Sequence, residues 1–161
     1  WEEVKSNIIK YRDEFRDVTI QLTASSINFT MLDTWWEELM ELDVPIHSNP
    51  VLFPKEYSLR SIPEKYKQEQ VTWLENWIEK VDTGDTLTAT ELHKITDWDE
   101  WKRNKVSRQI IEAQVAISIL NNNPYNEDYN KKFKHQVKVM DEWRNENISD
   151  LDYRFKEILH A

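Results

Sequence analysis

Cysteine is absent from this chain, and glycine occurs only once, at Gly84. Without cysteine the chain can form no disulfide, holds no thiolate zinc site or iron–sulfur cluster of its own, and has no cysteine nucleophile. Phosphate-binding loops need several glycines, because the backbone must approach the phosphate without an intervening Cβ atom. The sequence therefore excludes a P-loop and a dinucleotide-binding fingerprint.

Long apolar runs are also missing, and positive charge is in the minority. No stretch approaches the roughly 18 consecutive apolar residues of a membrane span, and no signal-peptide pattern precedes the first helical pattern. The 30 acidic against 21 basic residues give a net charge of −9, which repels phosphate backbones and anionic membranes. We therefore expect a soluble protein of the reducing cytoplasm that binds neither nucleic acid nor membrane.

What the chain does have is apolar bulk. Its 161 residues are 39% hydrophobic and include eight tryptophans, which is enough to bury a core. A natural translation product begins with Met, whereas this sequence opens on Trp1 within a helical pattern. We expect that a further part of the natural protein precedes Trp1.

The first half of the chain alternates helical and extended patterns. Apolar residues at helical spacing predict an amphipathic helix, with one face formed by Trp1, Val4, Ile8, Tyr11 and Phe15. Residues 17–24 then alternate apolar and polar side chains, which predicts a strand. A capping box at Thr30 and Asp33 predicts a second helix, and the proline-marked segment 44–54 predicts a second strand. Two strands separated by one helix form a βαβ unit with parallel strands.

From residue 61 onward the pattern is helical. Ser61 and Glu64 predict the start of a helix that ends before the turn at 83–85. A short helix around 90–95 and a longer helix over 98–120 follow. Two more helices complete the chain, the last one introduced by Ser149. We place a boundary in the loop 83–88, which divides the chain into residues 1–82 and a helical extension, residues 83–161.

Two polar or rigid segments lie where ligands of a βαβ unit bind, beyond the carboxyl ends of the strands. A polar strand face formed by Thr19, Gln21 and Thr23 leads into Ser25 and Asn28. It indicates either the lumen of a barrel or a partly exposed edge strand. The rigid segment 49–54 indicates either a second side of the same site or an ordinary strand-to-helix connection.

Other kinds of site find no support in the sequence. The four histidines are scattered without metal-ligand spacing, at His47, His93, His135 and His160. No Gly-x-Ser-x-Gly motif marks a serine nucleophile. The tryptophans follow helical stripes, which favours core packing over a base-stacking platform.

Short motifs follow one another along the chain in a distinctive order. The first helix begins with Trp1-Glu-Glu-Val4-Lys-Ser-Asn7-Ile8, the strand runs into Thr23-Ala24-Ser25-Ser26-Ile27-Asn28, and the next helix contains Trp35-Trp36. Then come Asn49, Val51-Leu52, Pro54, Tyr57-Ser58, Ile62-Pro63 and Lys67, and near the end Phe133 with Asp141-Glu142-Trp143-Arg144. In order and spacing, over nearly the whole chain, these motifs resemble the twitch-type radical S-adenosylmethionine proteins.

The resemblance implies an α/β, predominantly helical fold: the last two βα units of a partial (βα)6 barrel, with two parallel strands, and a C-terminal helical extension. In that family a CxxxCxxC loop binds a 4Fe-4S cluster, and S-adenosylmethionine is cleaved reductively to a 5′-deoxyadenosyl radical that abstracts a hydrogen from the substrate. The cysteine loop would lie upstream of Trp1. The chain would then hold neither cofactor with its own side chains, and it would be inactive without the N-terminal half of its parent enzyme.

The resemblance also assigns candidate contacts. Thr23, Ser25 and Asn28, at the end of the fifth barrel strand, would face the cofactor or the substrate. Backbone groups of Val51, Leu52 and Phe53, on the sixth strand, would contact the adenine. The substrate class is open between a peptide and a small molecule. The alternative function is a free-standing acidic helical module that binds another protein and has no catalytic activity.

Overall fold

A single βαβ unit occupies the first third of the chain. The computed structural model describes residues 1–15 and 18–160, apart from the side chain of Trp98. The unit and the helix before it comprise α1 (Glu2–Glu14), β1 (Ile20–Ala24), α2 (Leu32–Glu41) and β2 (Ile46–Pro50). The strands pair in parallel, from Ile20 opposite Ile46 to Ala24 opposite Pro50. The prediction of an α/β, predominantly helical chain with two parallel strands is confirmed.

Both strands are shorter than the sequence pattern predicts. The first was predicted over 17–24 and begins at Ile20; position 17 lies outside the described residues. The second was predicted over 44–54 and covers only Ile46–Pro50. Pro50 has no N–H, and after the Val51 N–H donates to the Ala24 carbonyl at 2.9 Å the chain turns away. Placing Val51, Leu52 and Phe53 on a strand was therefore wrong, because all three follow it.

Six further helices follow among the described residues. They are α3 (Glu64–Val81), α4 (Ala89–Leu92), α5 (Trp98–Arg103), α6 (Lys105–Asn121), α7 (Glu127–Arg144) and α8 (Tyr153–His160). The single helix predicted over 98–120 is two helices. Asn104 separates them with φ −87° and ψ 37°, which is outside the helical region.

Two of the predicted capping boxes do not form. Thr30 lies in a 3-10 turn, Phe29–Met31, and its hydroxyl donates to the Ser26 carbonyl at 2.6 Å. Ser61 ends another 3-10 turn, Leu59–Ser61, and its hydroxyl donates to the Ser58 carbonyl at 2.8 Å. In both places a short hydroxyl side chain bonds the backbone that precedes it instead of the helix that follows.

Two hydrophobic clusters hold the described elements together. The larger one packs one face of the sheet against α2, α3 and α6 around the fully buried Trp36, whose ring meets Trp77 edge-on at 6.0 Å. The smaller one joins α7 and α8 to the start of α3 through Phe133, Phe155 and Tyr66. Each cluster contains residues from both sides of the boundary predicted at 83–88.

Candidate functional site

The carboxyl ends of β1 and β2 lead into two turns that are bonded to each other. The Ser26 N–H donates to the Tyr57 carbonyl at 2.8 Å, and the Ser26 hydroxyl, fully buried, donates to the Glu56 carbonyl at 3.4 Å. Tyr57 belongs to a 3-10 turn, Lys55–Tyr57. The structure therefore brings the two predicted segments, 23–28 and 51–53, to one end of the sheet.

Asn28 stabilises the first turn. Its Oδ1 accepts from the Ser25 N–H at 2.8 Å and from the Ser25 hydroxyl at 3.0 Å, and its Nδ2 donates to the Thr23 carbonyl at 2.6 Å. Its own carbonyl accepts from the Trp35 indole at 3.2 Å. These local bonds occupy Asn28 and Ser25, so both side chains shape the turn. Thr23, whose side chain is exposed, is the polar residue that this turn presents to the outside.

The second turn presents apolar side chains. Leu52 is 66% exposed and Phe53 is 77% exposed, although both are large and apolar. Val51 is half-buried and remains bonded to β1 through its N–H. An exposed aromatic ring next to a strand end is a typical contact for a planar ligand or another chain.

Cationic and aromatic groups from distant parts of the sequence gather beside Phe53. The Lys55 Nζ lies 6.0 Å from the centre of the Phe53 ring and 5.5 Å from the centre of the Tyr129 ring. The Arg60 guanidinium lies 5.0 Å from the same Tyr129 ring, and its Nε is buried without a hydrogen-bond partner among the described residues. Sequence reasoning missed Lys55, Arg60 and Tyr129. Tyr129 is on α7, and no local pattern links it to the strand ends.

The polar face predicted from Thr19, Gln21 and Thr23 is exposed. Thr19 precedes β1, whose polar face therefore consists of Gln21 and Thr23. His47 and Asn49 stand opposite them on β2 and are exposed as well. The Asn49 amide donates to Gln21 Oε1 at 3.1 Å. Together these four side chains form an open polar surface, with the Thr23–Asn49 pair nearest to the candidate site.

The other side of β1 borders an apolar groove of about 370 Å³ between α1 and α2. Ile20 and Leu22 of β1 line it with Val4 and Ile8 of α1 and Trp35 of α2. None of the residues of α1 is buried. Its apolar stripe is more than half exposed at Trp1, Val4, Tyr11 and Phe15. The groove is thus an apolar surface that other described residues leave uncovered.

Metal ligation finds no support in this arrangement. The described ranges, 1–15 and 18–160, contain no group of three His, Cys, Asp or Glu side chains placed to hold an ion. Within the same ranges, no helix combines the length and apolar character that crossing a bilayer requires. Comparison with protein-family models, with curated proteins and with solved structures finds no match to this chain.

Proposed function

We propose that this chain is the C-terminal portion of a radical S-adenosylmethionine enzyme of the twitch type. It would contribute the last two βα units of a partial (βα)6 barrel, followed by a helical brace. The main support for the proposal is the parallel pair β1–β2. Among the described residues no third strand pairs with it, and its polar face is open. Parallel sheets are normally larger and covered on both faces.

The free side of β1 supports the same proposal. A strand added to that edge would lie beside the groove lined by Ile20, Leu22 and α1. It would bury apolar side chains that are now exposed, such as Val4, which is 52% exposed. The open face with Gln21, Thr23, His47 and Asn49 would then turn toward a polar barrel lumen. The partner that this surface fits is the N-terminal half of the parent enzyme.

The candidate site fits one of the two implied cofactors only. The 4Fe-4S cluster does not fit this chain, which has no cysteine to ligate it. S-adenosylmethionine does fit, since its adenine is a planar ring and Phe53 presents an exposed aromatic face beside the backbone of Val51 and Leu52. The Thr23 hydroxyl would face the same space and donate or accept a hydrogen bond there. These residues would bind and orient the cofactor, and the parent enzyme would supply the radical chemistry.

The parallel sheet favours this function over the free-standing interaction module, for which an all-helical bundle is the expected architecture. The first discriminating observation is the reading frame upstream of Trp1. A CxxxCxxC motif there agrees with the proposal, and a start codon immediately upstream contradicts it.

The enzymatic test uses the protein translated from the complete reading frame, reconstituted with iron and sulfide and supplied with a reductant and S-adenosylmethionine. We expect 5′-deoxyadenosine to form. Phe53→Ala should raise the concentration of S-adenosylmethionine needed for half-maximal formation by about tenfold, because an aromatic contact worth about 1.5 kcal/mol is lost.

The matched control is Trp143→Ala, which removes an aromatic ring that is 78% exposed on α7. It should leave the formation of 5′-deoxyadenosine unchanged. The two parts of the proposal fail separately: a reconstituted protein that makes no 5′-deoxyadenosine contradicts the function, whereas a fully active Phe53→Ala variant contradicts only the role of Phe53.

A further inference from the structure

A cavity of about 280 Å³ lies at the amino end of β2, between α2, α4, α5 and α6. Its deepest wall consists of buried residues, among them Met40, Ile46 and Leu92. Its rim consists of exposed residues, including Ala89, His47 and His93. Ligand pockets of drug-sized molecules begin at about 300 Å³, so this cavity suits a smaller ligand. The cavity is separate from the candidate site described above, whose residues follow the carboxyl ends of the strands.

Arg108 of α6 forms one charged wall of the cavity and is already neutralised. Its side chain is nine-tenths buried, and its Nη2 donates to Asp43 Oδ1 at 2.8 Å and to the Lys102 carbonyl at 3.3 Å. The Trp101 ring covers the guanidinium, with 4.1 Å from Cζ to the ring centre. Arg108 is therefore held in place by its neighbours, and Asp43 balances its charge.

Glu112 lies four residues further along α6 and lines the same cavity. No described residue donates a hydrogen bond to its carboxylate or forms an ion pair with it. Burial raises the pKa of Glu112 to about 7, and the charge of Arg108 opposes this shift without cancelling it. Because Asp43 and Arg108 balance each other, the carboxylate of Glu112 is the charge that this cavity leaves uncompensated.

We propose that this cavity binds a small primary amine with an apolar body, whose ammonium group pairs with Glu112. The apolar body would lie against Leu92, Ile46 and the Trp101 ring. The ammonium group would supply the hydrogen-bond donor and the positive charge that Glu112 lacks. The proposal does not depend on the function proposed above, since it uses other residues and another end of the sheet.

Other ligand classes fit the cavity less well. An anion would face Glu112 and Asp43. The Arg108 guanidinium already forms an ion pair with Asp43 through Nη2, and of its buried atoms only Nε has no hydrogen-bond partner among the described residues. A metal ion would need three ligating side chains at one place, and the described part of the chain has no such group. A neutral apolar molecule would fill the volume but leave the carboxylate without a partner.

The test compares three probes of similar size: benzylamine, benzyl alcohol and benzoate. Binding to the 161-residue chain is followed by NMR through the indole N–H signal of Trp101, assigned with Trp101→Phe. Benzylamine should bind most tightly. Glu112→Gln keeps the size of the side chain and should weaken benzylamine binding by about tenfold, with benzyl alcohol changed less than about twofold.

The controls separate a local effect from a loss of fold or charge. Glu75→Gln removes an exposed carboxylate on α3 and should leave the affinity for benzylamine unchanged. Ala89→Phe, at the exposed rim, should weaken the binding of both benzylamine and benzyl alcohol by obstructing the entrance. A dispersed NMR spectrum of each variant verifies that it is folded.

The pH dependence identifies the titrating group. Glu112 must be ionised to pair with an ammonium group, so the affinity for benzylamine should rise about tenfold between pH 6 and pH 8. His47 and His93 also line the cavity. The dependence should persist in the double variant His47→Gln/His93→Gln and disappear in Glu112→Gln.

Three results would overturn the proposal. Tighter binding of benzoate would make Arg108 the recognising group. Equal affinities for benzylamine and benzyl alcohol would show that the charge has no role. Unchanged benzylamine binding by a folded Glu112→Gln variant would place the amine elsewhere.

Discussion

At the scale of single residues, a polar side chain contributes to a site only if its neighbours leave it free. Asn28 uses Oδ1 and Nδ2 to bond the Ser25 and Thr23 groups of its own turn, whereas Thr23 remains exposed. Ser58 and Ser61 are likewise buried and bonded within their own turn. Hydroxyl and amide side chains near a turn bond the adjacent backbone readily, and the sequence does not reveal which of them will do so.

The raised pKa of Glu112 leads to a prediction about the stability of the fold. Folding raises its pKa to about 7 from a reference of 4.5. The folded state therefore binds its proton more tightly than the unfolded chain does, and between pH 4.5 and pH 7 the contribution of Glu112 to stability falls as pH rises. Glu112→Gln should remove this cost and raise the free energy of unfolding at pH 8 by about 1 to 3 kcal/mol, allowing for partial exposure.

Urea unfolding at pH 5 and pH 8 measures the effect as the difference between variant and wild type. That difference should be larger at pH 8. The exposed Glu75→Gln substitution should show no such change with pH. A Glu112→Gln variant that is equally destabilised at both pH values would mean that ionisation of Glu112 carries no cost in the folded state, contrary to the prediction.

At the scale of elements, the ends of helices depend on side chains that lie near them in space or in sequence. α4 begins with a complete capping box, in which the Thr88 hydroxyl accepts from the Glu91 N–H and the Glu91 carboxylate accepts from the Thr88 N–H. α8 follows Asp152, whose Oδ1 accepts from the Arg154 N–H at 2.8 Å, so the predicted role of Ser149 was wrong. Ser149 matches the capping-box pattern together with Asp152, but in the structure Asp152 itself bonds the first turn of α8.

Arg154 joins α8 to α2. It is 2% exposed, and it donates to both carboxylate oxygens of Asp152 and of Asp33 at 2.7 to 3.0 Å. Arg154→Leu should destabilise the chain by about 3 to 5 kcal/mol, because Asp152 and Asp33 would lose their shared counter-charge in a partly buried place.

The matched control is Lys156→Leu, which removes an exposed cation from the same helix. Urea unfolding at pH 7 should show a change below about 1 kcal/mol for this variant. If Arg154→Leu costs no more than Lys156→Leu, the ion cluster does not hold α8 in place.

At the scale of the whole molecule, the main feature is an uncovered apolar surface on an acidic chain. The net charge of −9 disfavours association, whereas the exposed stripe of α1 and the free edge of β1 favour it. We expect the isolated chain to self-associate through this surface. Val4→Lys, at a position 52% exposed beside the groove, should weaken self-association by about tenfold.

Sedimentation velocity over a range of protein concentrations measures this effect. Ser6→Lys adds the same charge at an exposed position of α1 outside the groove lining and should have a smaller effect. A wild-type chain that remains monomeric at every concentration and melts cooperatively would contradict the predicted association.

The residue periodicities alone determined the order of helices and strands and the parallel βαβ unit, because helices and strands place their apolar residues at different spacings. They could not determine where the elements end. The ends of β2 and the break at Asn104 depend on local competition between backbone partners that periodicity does not report.

Only the tertiary structure decided which side chains meet. It placed Tyr129 beside Phe53 and joined Arg108 and Glu112 to the amino end of β2 in one cavity. These contacts link residues far apart in sequence, and they arise from the packing of α6 and α7 against the βαβ unit and the turns that follow it. Packing acts through shape and burial in three dimensions, so no linear pattern encodes it locally.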